Sequence, residues 1–436
     1  MPPHEPATSD NPFFHRGPVR NPAYFVGRQG ELTQILALVR NAQSVSIVGP
    51  RRIGKTSLVF QLAARLRAAG TPVVHLTCEG HERATAEQLY ARLSEELAEV
   101  APVDEPLPGE PYRRLEALLR RLSPNAPAVV VIMDEFEILG SNPALGPGFF
   151  SALRGLAARF PLAFVTASPR PLIELTYSHP DILSSPFFNC FATLPLGLFS
   201  EGEAATLIRS LAAKGGLAWP EPILQGLLEW AGPHPLFLQV SGYHAVEAER
   251  AGHGGERLLA ETARRAWPDM LPHFQYAWQS LSEPERYAVA TIPAGQEPAV
   301  LLRLEAQCLV RRAGERHVYL SAAWRRFVRQ QPVARVLQSE SVVVDRVRRA
   351  VLVGERPAHL TRTQFEVLAY LMAHAGQPVS IRELESAVWQ EEYVEDPERV
   401  KAVIKHLRKA LGAAGRQIVN RRGLGYLYRS GVAGAG

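Results

Sequence analysis

Cysteine is scarce in this 436-residue chain. The three present, Cys78, Cys190 and Cys308, lie far apart with no C-x-x-C pair, which excludes a disulfide framework and a zinc knuckle and fits a reducing compartment. Long apolar runs are also missing. Runs such as Ala128 to Met133 are far below the roughly 20 residues that cross a bilayer as a helix, so no membrane partner is expected. The opening stretch, MPPHEPATSDNPFFHRGP, lacks the basic-then-apolar layout of a secretory signal. It reads as a disordered lead-in over residues 1–21, with the cytoplasm as the compartment. Neither glycine, at 33, nor proline, at 35, is frequent enough for a low-complexity chain. With 46% hydrophobic and 21% charged residues the chain is globular, and its length suits about three domains.

The most informative absence is of acid near the C-terminus. Residues 341–436 hold 15 Lys/Arg and 10 Asp/Glu, which accounts for the whole net charge of +5, and residues 399–429 hold nine basic residues and no acidic one. A solvated helix face mixes signs; a one-sign block suits a phosphate polyanion.

From Asn41 onward, short β-branched runs alternate with helical stretches, the pattern of a parallel sheet wound with helices. Five strands are expected at 44–48, 72–76, 128–133, 161–167 and 188–194, with helices at Ser57 to Ala69, Ala84 to Val100 and Glu110 to Leu122. This makes residues 22–199 an α/β domain. Helical patterns then take over. Ser200 with Glu203 forms a capping box, and residues 200–265 read as a helical lid subdomain. Helices followed by a hairpin over 266–335 suggest a first winged helix, read as a spacer, although Arg303, Arg311 and Arg312 lie near its helix-hairpin face. Over 338–430, two strands precede helices capped at Thr361, Ser380 and Asp396. The last helix puts Val400, Ile404, Leu407 and Leu411 inward and Lys401, Lys405 and Arg408 on a neighbouring face. A turn at Gly423 supplies a wing.

Two motifs carry chemistry. Gly49-Pro50-Arg51-Arg52-Ile53-Gly54-Lys55-Thr56, followed by Ser57, fits G-x-x-x-x-G-K-[ST] between a strand and a helix. Its glycines let backbone N–H groups approach phosphates at a helix N-terminus. Lys55 would reach the β- and γ-phosphates, and Thr56 would ligate magnesium. The third strand ends in Asp134-Glu135, one acid to hold the metal and the next to polarise a water. Mg-ATP, hydrolysed rather than merely bound, is the expected cofactor.

The F-V-G-R-Q-G-E-L box at 25–32, the GPRRIGKTSL loop and the MDEFE strand end resemble the archaeal-type ATPase branch of the AAA+ and STAND P-loop proteins, over about residues 22–240. That resemblance implies that Val26 and Gly27 lie beside the adenine and that Pro235, in a segment where Pro233 departs from the family's glycine, packs on the base. It offers Thr166, Ser168 and Arg170 as sensors at the end of the fourth strand. Residues 341–430 resemble the C-terminal winged helices of OmpR/PhoB-type response regulators through LTRTQFEVLAYL, SIRELESAVW, VIKHLRKAL and NRRGLGYLY. This implies a recognition helix from Pro397 to Leu411 and duplex-DNA contacts from Arg399, Lys401, Lys405, Arg408, Lys409, Arg421 and Arg422. A salt bridge from Arg422 to Glu366 is the competing role for that arginine. Together the resemblances imply an ATP-dependent transcription regulator of STAND type that slowly hydrolyses ATP, with a nucleotide-dependent homo-oligomer as a further partner state. The alternatives are a DNA-loading AAA+ ATPase of replication, transposition or defence, and a protein-interaction module on an ATPase scaffold.

Overall fold

The computed structural model describes residues 11–14, 16–100, 109–123, 128–175, 188–292, 298–331, 336–339, 341–346, 349–354, 356–389, 396–421 and 423–429. The chain divides into two compact units. The first runs to Leu271 and includes Glu305–Arg311 and Leu320–Trp324; the second takes Pro272–Leu304, Arg312–Tyr319 and the chain from Arg325.

The first unit is built on five parallel strands, β1 (Ser44–Val48), β2 (Val73–Thr77), β3 (Val129–Asp134), β4 (Leu162–Ser168) and β5 (Phe191–Pro195), in the order β2-β3-β4-β1-β5. Because side chains alternate along a strand, an unbroken apolar run serves two buried faces. Val129, Val131 and Met133 of β3 face one cluster with α3 (Ala86–Val100), α4 (Pro111–Leu122) and a helix at Pro147–Arg159. Val130 and Ile132 face the other, with α1 (Gln29–Arg40) and α2 (Lys55–Ala68). The sequence pattern led to all five strands to within three residues, but it passed over α1 and the 147–159 helix.

The lid consists of α8 (Glu201–Lys214), α9 (Glu221–Ala231) and α10 (Pro235–Arg250), numbered after short helices α5 (Glu137–Gly140) and α7 (Leu172–Leu175), with α6 the helix at Pro147–Arg159. The Ser200–Glu203 capping box is formed. The next helix, α11 (Gly255–Ser280), is continuous across residue 265, where a domain boundary was expected. The expectation of a disordered lead-in over 1–21 needs correction. Residues 1–10 lie outside the described residues, but Phe13 is 0% exposed in the lid, because an aromatic ring of that size gains too much from burial to stay in water.

The elements expected for the first winged helix are present as α12 (Glu283–Ala290), α13 (Pro298–Ala306), a hairpin of β6 (Val310–Ala313) and β7 (Arg316–Tyr319), and α14 (Ala322–Arg329). They do not form a compact unit of their own, since their residues are shared between the two units. The C-terminal domain carries a four-stranded antiparallel sheet in the order β11-β10-β9-β8: β8 (Val336–Gln338), β9 (Val342–Asp345), β10 (Ala350–Val353) and β11 (Arg356–Ala358). Only β9 and β10 were anticipated. Strand β8 opens two residues ahead of the expected start at 338. Ser339, just after β8, contacts through its Oγ Gln417 Oε1 at 3.2 Å and Tyr428 Oη at 2.8 Å. Helices α15 (Arg362–Ala373), α16 (Ile381–Trp389) and α17 (Pro397–Leu411) and the hairpin β12 (Ile418–Arg421) and β13 (Gly425–Tyr428) close its core around Leu368, Leu384, Val400 and Leu407.

Candidate functional site

Parallel sheets bind ligands at the carboxyl ends of their strands, and the P-loop leaves the end of β1 there. Gly54 caps α2 at φ +102°, a left-handed conformation that glycine adopts without strain. Gly49 has no room for a side chain: a Cβ would lie 2.3 Å from the Leu196 carbonyl oxygen. The Lys55 ammonium donates to the carbonyl oxygens of Gly49 (2.7 Å) and Pro50 (3.0 Å). Burial lowers its pKa, opposed by the negative charges of Glu137 and Asp134.

A cavity of about 540 Å³ opens on this loop. It gathers Arg51 through Ser57 from the loop, Asp134 and Glu135 from the end of β3, Val26 from the box before α1, and Pro235 from the lid. Gly49, Pro50 and Gly27 are not among the lining residues. Gly27 is turned toward the lid, where a Cβ would come within 2.8 Å of Glu203 Oε1 and 3.0 Å of Phe199.

Asp134 is buried, and its Oδ1 accepts the backbone N–H of Glu135 at 3.0 Å. Glu135 holds φ +57°. Burial raises its pKa, and the charges of Glu79, Asp134 and Glu137 add to the effect. Two cavity acids escaped the sequence reading. Glu137, the last acid of the MDEFE string, has a buried Oε2 with no hydrogen-bond partner, and burial raises its pKa against the attraction of Lys55. Glu79 sits two residues beyond β2 and also lines the cavity. The string itself carried the signal for Glu137. Glu79 carried none, because β2 ends in no recognisable acidic motif.

The fourth-strand sensor candidates do not reach the cavity. Thr166 is fully buried in β4, paired in register with Ser46 and Met133. Ser168 Oγ donates to the Arg170 carbonyl at 2.7 Å, while Ser168 O accepts Gly49 N–H at 3.2 Å. Ser168 therefore meets the P-loop through its backbone, and the Arg170 side chain is exposed.

In the C-terminal domain, Asp396 caps α17 by accepting Arg399 N–H at 3.0 Å, and Val400, Ile404, Leu407 and Leu411 are buried as their spacing requires. Lys401, Lys405, Lys409 and Arg421 are exposed; Lys401 pairs with Glu398 at 2.7 Å. Two cations expected on the outer face are used internally. Arg399 stacks on Trp389 at 4.8 Å and lies 3.5 Å from buried Glu385. Arg408 donates through Nε and Nη2 to the Ile418 carbonyl (3.1 and 2.8 Å), holding the helix to the wing. Their long stems let the guanidinium groups fold back onto these partners. Arg422 lies outside the described residues, and Glu366 is paired with Arg349 at 2.7 Å. Arg303 and Arg311 pair with Glu285 (3.6 Å) and Glu201 (3.5 Å).

The family models of an AAA ATPase domain and of a novel STAND NTPase match residues 24–165 and 111–298, and that of the C-terminal domain of transcriptional regulatory proteins matches 355–428. The chain carries a P-loop ATPase domain of AAA/STAND type and a C-terminal winged helix of OmpR/PhoB type. Over 73% of its length the chain resembles in fold the Walker-type ATPase paby2304 of Pyrococcus abyssi, at 15% identity and a TM-score of 0.54, with 99% of that chain covered. The winged helix resembles the KDP operon transcriptional regulatory protein KdpE of Escherichia coli K12, 30% identical over 118 residues, 26% of this chain and 52% of that protein. It also resembles the phosphate regulon transcriptional regulatory protein PhoB of the same strain, 33% identical over 99 residues, 22% and 43% of the two chains. This chain thus spans about half the length of those regulators or less. No helix among the described residues is long and apolar enough to cross a membrane.

Proposed function

We propose that this chain is a cytoplasmic, ATP-dependent transcription regulator of STAND type that binds Mg-ATP, hydrolyses it slowly and contacts duplex DNA through its C-terminal winged helix. The observation that carries the reading is the cavity in which Lys55 and Thr56, Asp134 and Glu135, and the lid residue Pro235 meet, in a chain that also carries an OmpR/PhoB-type domain. The donors suit magnesium, a hard cation that prefers oxygen. Thr56 lines the cavity together with Asp134, whose carboxylate is buried. Thr56 and Asp134 would hold the ion, whose charge would offset that of the phosphates. Lys55 would exchange its loop carbonyls for phosphate oxygens. Glu135, kept protonatable by burial and three neighbouring acids, would take a proton from water. On the DNA side, the reading assigns Lys401, Lys405, Lys409, Arg421 and Arg422 to phosphates and groove edges.

Nucleotide bound between the sheet and the lid can shift the protein only through its different affinity for their arrangements. The test is titration of a labelled DNA duplex into the chain holding ATP, ADP or no nucleotide, with solution mass followed in parallel. The switch reading expects affinity or mass to change with the nucleotide. Identical values in all three states would reduce the two domains to a covalent fusion without coupling.

A further inference from the structure

The Pro-rich stretch ahead of the nucleotide box makes two separate sets of contacts. Its first end is set in the lid. Asn11 Nδ2 donates to Tyr243 O (2.8 Å) and Glu247 Oε1 (3.0 Å), both on α10, while Asn11 Oδ1 accepts Phe13 N–H at 3.1 Å. That turn aims the Phe13 ring inward, where it stacks on Trp219 with centroids 5.9 Å apart. The ring lies against Gly242, where even a Cβ would come within 2.2 Å of it. A glycine in mid-helix is unfavourable by itself, and here its lack of a side chain makes the seat for the ring.

The other end is set on the P-loop and the helix that follows it. The Arg52 guanidinium donates to Arg16 O at 3.3 Å, and Val19 N–H donates to Ser57 Oγ at 2.9 Å. Gln61, which is 3% exposed, donates to both Val19 O (3.1 Å) and Arg20 O (2.9 Å). Between the two ends, Arg16 through Arg20 form part of the cavity wall, with the Arg16 side chain tied to Asp269 of α11 at 3.2 Å.

From this geometry we propose that residues 11–14 and 16–20 act as a nucleotide-retaining strap: anchored by Phe13 in the lid and by Val19 and Arg20 on α2, they set the opening of the cleft and hence the rate at which nucleotide leaves. The lid also meets the nucleotide box through Glu203 and Arg28 N–H at 2.7 Å, and a short tie fixed at both ends adds a second limit on how far lid and P-loop helix open. The Phe13 and Asn11 side chains act as positioning residues in this role, since both are seated in the lid and neither lines the cavity. The inference rests on the nucleotide reading of the cleft.

The experiment is stopped-flow release of a fluorescent ADP analogue, chased with unlabelled ATP and magnesium, from the full chain and from Phe13→Ala, Phe13→Leu and Asn11→Ala variants. It is run at a temperature where circular dichroism finds every variant folded. Phe13→Ala is expected to release the analogue at least ten times faster, Asn11→Ala severalfold faster, and Phe13→Leu at a rate close to the parent's, because a second apolar side chain refills the seat. A lower melting temperature with unchanged release in both alanine variants would make the segment a stabilising clasp and overturn the proposal. Lys55→Ala separates the two levels. If the parent binds the analogue and Lys55→Ala does not, the cleft reading stands whatever the strap variants do; if the parent fails to bind it, the cleft reading falls and the strap with it.

Discussion

The Glu203 carboxylate joins the lid to the nucleotide box: its Oε1 accepts the backbone N–H of Arg28 at 2.7 Å, while Oε2 accepts Ser200 N–H at 2.9 Å and so caps its own helix. Gly27 must lack a side chain for this approach. Arg28 takes a left-handed φ of +61° and stacks its guanidinium 4.6 Å from Phe199. Burial works to raise the Glu203 pKa, but the hydrogen bonds from Arg28 and Ser200 together outweigh it and hold the carboxyl below its ordinary value.

Glu203→Ala should therefore lower stability by about 1–2 kcal/mol, the scale of a lost helix cap, measured by urea unfolding at neutral pH. A carboxylate whose folded pKa is depressed contributes stability that is present above its unfolded pKa and lost as pH falls through the folded one. The parent should lose part of its stability on that acid side, and Glu203→Gln should flatten the loss. Equal acid slopes in parent and variant would take Glu203 out of the account.

In the cleft, Lys55→Ala should abolish ATP binding, and Glu135→Gln should keep ATP but lose turnover by about 10²-fold or more. The raised Glu135 pKa makes its base form disappear at a higher pH than an ordinary glutamate would. Turnover should thus decline on acidification earlier than usual. Glu79→Gln removes a repelling charge and should move that decline to lower pH. A pH–rate profile of phosphate release decides the matter, and an unmoved acid limb would leave Glu79 without influence on Glu135.

On the DNA face, the exposed lysines and the internally bound arginines should behave differently. Lys405→Ala and Lys409→Ala should leave the fold intact and reduce the salt dependence of DNA binding by about 0.9 for each phosphate no longer neutralised. Arg399→Ala leaves buried Glu385 without its cation and should cost about 3 kcal/mol of domain stability. Arg408→Ala should likewise loosen the wing by freeing the Ile418 carbonyl. Salt-titrated binding set beside thermal melts tells these effects apart.

At the base of the wing, Gly425 sits at φ +105°, and a Cβ there would lie 2.0 Å from the Val379 carbonyl oxygen, which accepts Tyr426 N–H at 2.8 Å. Gly425→Ala should break this bridge and destabilise the domain by about 2 kcal/mol or more. Melting of the full chain, followed at the tyrosines, would detect it.

Much of this was legible in the residues because local chemistry fixed it. The β1–loop–α2 motif, the acids ending β3 and the boxes at Ser200, Thr361 and Ser380 each declare themselves within eight residues. What escaped depends on distant partners. Nothing near Phe13 announces Trp219 or Gly242, so a Pro-rich lead looked unstructured. Arg399 and Arg408 have the spacing of outward cations, but their guanidinium groups find Glu385 and Ile418 from other elements. Strands β8 and β11, three residues each, are too short to show alternation and owe their form to their neighbours in the sheet. The first winged helix was legible as elements, but local patterns say nothing about how those elements divide between compact units.

The backbone at Glu135 sets two demands against each other. A non-glycine residue at φ +57° carries roughly 1–2 kcal/mol of strain, which the hydrogen bond its N–H donates to Asp134 Oδ1 helps to hold in place. Glycine would relax that turn, so Glu135→Gly is a substitution that should toughen the ATPase domain while silencing it. At this position a search for thermostable variants and a search for active ones would select opposite residues.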